Sequence, residues 1–239
     1  MITLGITGLY LGLDWMWLAL TPTIEAVFES RTAAAWEREA GEVASAARDA
    51  DNRLPAETRL AAYRLGFHTG YCSNILGSVA LSSPDAQARV REILAPRLKG
   101  IEVLGRQLGI GEVTLLPVTN TDEFSRVNDR LDSDEIGLAA RLETVTSPRH
   151  RHLLLLGMHL GAAAALADMS GGKLQNPLRR YIGHHATVAR VPPGAWEPAA
   201  RVHEAATPEQ SAKAYQDALA ALEAAIGQLS PLPPADGSR

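Results

Sequence analysis

At 239 residues, with 46% hydrophobic and 21% charged side chains, the chain is long enough to bury a core and too apolar for global disorder. A formal net charge of −4 excludes a nucleic-acid partner held by a general basic field. The single cysteine, Cys72, excludes an intrachain disulfide framework and a cysteine-only zinc site.

Met1 to Leu20 is apolar apart from Asp14. No positively charged region precedes it, as a secretory signal would require, and Asp14 would be costly inside a bilayer. The expectation is a buried first helix over 5–19. Peripheral membrane contact of residues 1–20 through Trp15 and Trp17, or a trimmed export segment, are the alternatives.

Helical periodicity continues almost throughout, with helices expected at 22–50, 56–81, 84–108, 121–145, 148–169 and 208–229. Their starts are marked. Ser83-Pro84-Asp85, Ser147-Pro148 and Thr207-Pro208-Glu209 each place a capping hydroxyl before a proline, and Thr21-Pro22 is a fourth candidate. Proline at the first helical position wastes no hydrogen bond, and a following acid suits the helix dipole. Pro96 is expected to kink its helix. Val113 to Val118 is the only strand-like run, and Pro117 weakens it. Leu153 to Met169 is apolar on all sides, which fits the centre of a bundle better than a short membrane span. The tail, 231–239, is rich in Pro, Gly and Ser and is expected to be disordered.

Two pairs of motifs suggest duplication. Leu65-Gly66-Phe67-His68-Thr69-Gly70 is similar to Leu156-Gly157-Met158-His159-Leu160-Gly161, 91 positions later; Ser83-Pro84-Asp85 is similar to Thr207-Pro208-Glu209, 124 positions later. The expected architecture is an all-α helical bundle in one domain, 1–230. It would be built from two similar three-helix repeats, about 5–108 and 113–229, packed as a pseudo-twofold pair. The offsets differ by 33, which places a long insertion in the second repeat, within 171–206. It is read as an irregular segment, ordered and packed across one end of the bundle.

Glycines four apart lie on one helix face and let another helix approach closely. At 100° per residue, His68 and His159 point away from these seams. A bis-histidine haem or metal site between the repeats therefore fails if the two glycine seams meet. His68 and Cys72 are one turn apart, as two metal ligands could be, and Cys72 is a remote candidate nucleophile. Arg179, Arg180, His184 and His185 form a basic cluster that could clamp an anion. His150 and His152 are expected in an exposed first turn.

No Walker loop, Gly-x-Ser-x-Gly elbow, His-Glu-x-x-His, Gly-x-Gly-x-x-Gly or paired Glu-x-x-His motif is present, which weighs against the common enzymes. The first functional expectation is a non-enzymatic protein acting through helix surfaces, in homo-oligomers or with a protein partner. The second is a small-molecule, metal or haem binder whose pocket is lined by His68, His159 and the 171–206 segment, with Cys72, Arg179, Arg180, His184 and His185 as further ligand candidates. The third is a peripheral membrane protein. A soluble location is expected, with cytoplasm favoured over periplasm.

Overall fold

The computed structural model describes residues 31–79, 82–111, 113, 138–170, 176–201, 208–230 and 232. The expected helices at 5–19 and over 121–137 lie outside them. The chain divides into two compact units, Met1–Glu39 and Ala40–Arg239. The first is helical over its described residues, 31–39.

The second unit is all helical among its described residues. It comprises α1 (40–51), α2 (Ala56–Ser78), α3 (Pro84–Gln107), α4 (138–145), α5 (Pro148–Ser170), α6 (Asn176–Val188), α7 (Pro193–Arg201) and α8 (Pro208–Gly227). The caps behave as their sequences require. Ser83 Oγ accepts from Ala86 N at 3.3 Å, and Ser147 Oγ accepts from His150 N at 3.4 Å. Past α3, Gly109 takes a left-handed φ of 75°, Gly109 N donates to Arg106 O and Ile110 N donates to Gly105 O. That pair of bonds is the Schellman ending. The helix runs through Pro96 without a break.

The centre of the unit is the parallel pair α2 and α5, packed glycine on glycine. A Cβ on Gly66 would overlap the Leu154 carbonyl, and one on Gly157 would overlap the Tyr63 carbonyl. One turn on, Gly70 faces Met158 and Gly161 faces Phe67. The contact is reciprocal: Tyr63 and Leu154, like Gly66 and Gly157, are 91 positions apart. Glycine weakens a helix, but here it lets two backbones touch, as no larger residue would.

Around this pair, α3 lies along α2 and α6 lies along α5, while α8 packs on α7 and α2. Tyr215 of α8 donates its hydroxyl proton to Leu160 O at 3.0 Å. The motif spacing pairs the Pro84 helix with the Pro208 helix. In space α6 flanks α5 and α3 flanks α2, whereas α8 packs on α7 and α2.

The segment expected to be irregular is corrected most. Its described residues form α6 and α7, and α6 runs antiparallel along α5 rather than across its end. Tyr181 meets His159, His185 meets His152, and Ala189 meets Arg149. Leu178, Ile182, His185, Ala186 and Ala189 recur at helical spacing, and Ile182, Ala186 and Ala189 are fully buried. Pro192-Pro193 marks the start of α7, with Pro193 as its first residue. In the tail, Leu232 is the one described residue, and it is buried rather than free.

By length and composition Pro148–Met169 could cross a membrane, and most of it is buried inside the unit. That burial fits the core helix of a bundle.

Candidate functional site

Two buried polar clusters lie at the N-terminal half of α5. The first is a charged clasp. Asp51, at the end of α1, is fully buried and accepts from Arg149 Nη1 at 2.9 Å and from Arg59 Nη2 at 3.2 Å. The guanidinium groups are themselves shared out. Arg59 Nη1 donates to Leu229 O at 2.8 Å, Arg149 Nε to Ala189 O at 2.9 Å, and Arg149 Nη1 to Ser230 O at 3.0 Å. Those carbonyls follow the last turns of α8 and α6, where the helix dipole is negative. One carboxylate and two helix ends thus neutralise two arginines.

His150 joins the clasp as a neutral ring. Thr58 donates its hydroxyl proton to Pro55 O at 2.6 Å, so its oxygen accepts from His150 Nε2 at 3.0 Å. Nδ1 then accepts from Ser147 Oγ at 2.7 Å. Burial pushes the His150 pKa down to about 4, against the pull of Asp51. The 3.6 Å approach of Nδ1 to Asp51 Oδ1 is therefore not an ion pair at neutral pH.

The second cluster is made of imidazoles. His152 and His159 come from α5, two turns apart; His184 and His185 come from α6. His152 Nδ1 and His185 Nδ1 are 3.1 Å apart, one donating and the other accepting. The His185 ring stacks on His159 with a centroid separation of 5.4 Å and an interplanar angle of 3°. His159 stacks in turn on Tyr181 at 5.1 Å. His184 lies 4.7 Å from His185 and 5.9 Å, edge-on, from His152. Burial first, and then the neighbouring rings and Arg151, drive the His185 pKa to about 2. No carboxylate is among the groups acting on it. His185 is neutral throughout the physiological range, with one ring nitrogen as donor and the other as acceptor. Among the described residues no three His, Cys, Asp or Glu side chains already converge on a point that would hold a metal ion.

The expected ligands are thus divided. His159, His184 and His185 come together, joined by His152. His150 and His152 are buried, not exposed, because α6 and the clasp cover the first turns of α5. His68 stays apart on the opposite flank. It is half-buried between α2 and α3, with its Nδ1 3.4 Å from Arg97 Nη1. Burial and then Arg97 lower its pKa. The glycine seams do meet, so no site holds His68 and His159 together. Cys72 is fully buried and burial raises its pKa to about 11. It is a thiol at neutral pH, which disfavours both nucleophile and metal-ligand roles. Arg179 and Arg180 sit nearer the start of α6, half-buried and exposed, and neither is among the groups acting on His185. A separate 270 Å³ groove, lined by Leu60, Ala61, Arg64, Leu104 and Gln107, contains none of the expected site residues.

Sequence reasoning missed the clasp, though the sequence carried a signal. Asp51 closes a helix, while Arg59 and Arg149 open helices; all three oppose the local dipole. Charges misplaced for their own helix point to partners elsewhere. Comparison of the chain with family models, curated proteins and solved structures finds no match.

Proposed function

We propose that the chain is a non-enzymatic binding protein whose small ligand, a metal ion or other cofactor, sits against the imidazole cluster of α5 and α6. One observation carries this reading: four histidine rings from two helices gather in one place, with His185 held neutral among them. The test is the absorbance spectrum and metal content of protein purified without a histidine tag. The wild type should carry a chromophore or metal that His152→Ala and His185→Ala lose and His68→Ala keeps. A wild-type protein free of both, or one that keeps its load in all three variants, would defeat the reading.

Association through helix surfaces is a second reading, favoured by α3. Ile93 and Val103 are 76% and 46% exposed. With Pro96 and Gly100 they share one face, spanning about 80° at helical spacing. Light scattering on Ile93→Glu and Val103→Glu tests it: a dimer that falls to monomer supports association, and a wild type already monomeric rejects self-association. Either reading suits a protein of an aqueous compartment.

A further inference from the structure

We propose that the imidazole cluster takes one late first-row divalent metal ion, first held by Nδ1 of His152 and Nδ1 of His185. The proposal rests on the binding reading above and names its ligand.

The distance between these two atoms is the starting point. Metal–imidazole bonds of about 2.0–2.1 Å at tetrahedral angles put two ligand nitrogens about 3.3 Å apart. The Nδ1 pair already stands at 3.1 Å. The antiparallel contact of α5 and α6 thus brings two donor nitrogens to nearly that spacing; because they now share a hydrogen bond along the line between them, both rings must tilt for their lone pairs to converge on an ion.

Occupation of the pair is chemically balanced. In the empty cluster one ring carries its proton on Nδ1 and gives it to the lone pair of the other. The ion replaces that shared proton. The displaced proton returns, through solvent, to Nε2 of the ring that lost it, so both rings remain neutral and each offers one Nδ1 lone pair. No oxidant or further reactant is needed.

The surroundings decide the class of ion. All the candidate donors are imidazole nitrogens, which suit nickel, copper and zinc; calcium and magnesium demand oxygen. His184 and His159 are the next donors within reach, each beside His185. Among the described residues no three donors converge there, so a third protein ligand requires one ring to turn, with water completing the shell. Binding at a junction of two helices also favours the docked form of α6, so the ion should raise the melting temperature.

Cobalt(II) is a suitable probe because its visible spectrum reports coordination. Tag-free protein at pH 7.5 should bind one Co²⁺ per chain with a new visible band. His152→Gln and His185→Gln should each weaken binding at least about tenfold, while His68→Ala should leave it unchanged. A second measurement needs no variant: in the wild type, hyperfine-shifted imidazole proton signals should arise from at least two rings. Absence of saturable uptake, or uptake insensitive to both glutamine variants, overturns the metal. A bound organic chromophore that depends on His185, with no Co²⁺ uptake, overturns the metal and leaves the binding reading standing. Neither chromophore nor Co²⁺ takes down both.

Discussion

The charged clasp and the imidazole cluster begin within three residues of each other on α5, yet they are built on opposite terms. Arg149 and His150 enter a network in which every strong charge meets a carboxylate or a helix-end carbonyl. His152 enters a group of rings where burial has removed charge altogether from His185. A closed network ties α1, α2, α5, α6 and α8 at one end of the unit and leaves nothing over for a ligand. In the imidazole cluster no carboxylate acts on His185, which stays neutral with one acceptor nitrogen. Proximity in sequence thus says little about role; what decides it is whether the partners needed for neutrality are already inside the fold.

The largest expected effect breaks the clasp. Arg149→Ala removes a fully buried guanidinium and leaves Asp51, Ala189 O and Ser230 O without it. Removal of one partner of a buried pair costs about 3–5 kcal/mol. Urea denaturation should show a loss of that order, and a loss under about 1 kcal/mol would mean the clasp is not what holds these helix ends.

The cluster should respond differently. His185→Ala leaves the His152 nitrogen without that partner, at about 1–3 kcal/mol. Replacing both rings, His152→Leu with His185→Leu, removes donor and acceptor together and should be near neutral. If the double variant is as damaging as Arg149→Ala, the rings serve the fold as the clasp does.

Acid sharpens the comparison through two of the depressed histidines, one from each region. Both His150 and His185 have folded-state pKa values below their ordinary 6.5. The unfolded chain therefore binds more protons, and stability falls as pH drops. The loss begins near pH 6.5 and continues to about 4 for His150 and about 2 for His185. Each histidine contributes a slope of about 1.4 kcal/mol per pH unit inside its window. Denaturation midpoints between pH 7 and 4 should fall, and the leucine double variant should flatten the profile. A profile level from 7 to 5 in the wild type would contradict the burial of these rings.

The smallest effect tests α6, which serves both regions. Its Ala189 carbonyl holds Arg149, and its ending places Arg190 at a left-handed φ of 59°. Arg190→Gly should change stability by less than about 1 kcal/mol, because the relief of left-handed strain is set against the loss of the side chain's own interactions. A loss well above that in thermal denaturation would show that the Arg190 side chain matters more to the fold than its backbone strain.

Much of the architecture is legible in the residues. Ser83-Pro84 and Ser147-Pro148 open helices as their chemistry demands, and the glycine spacing alone separates His68 from His159 once the seams meet. The flanks are harder to read. Gly171-Gly172 and Pro192-Pro193 look like the edges of a loop, although Leu178, Ile182 and Ala186 already carry the helical stripe of α6. His152 and His185 are 33 positions apart and Asp51 and Arg149 are 98 apart; no local pattern states that such residues meet. What the sequence does show is the local misfit, two arginines at helix starts and an aspartate at a helix end, whose resolution is tertiary.

The distinction between the two regions is tested most directly by titrating Co²⁺ into the wild type and into the His152→Leu, His185→Leu double variant at pH 7.5. Both should give the same helical circular dichroism, so that fold and binding are read apart. The prediction is saturation at one ion per chain in the wild type and none in the variant. Equal uptake by both proteins, or none by either, would contradict it and leave the imidazole cluster a part of the core.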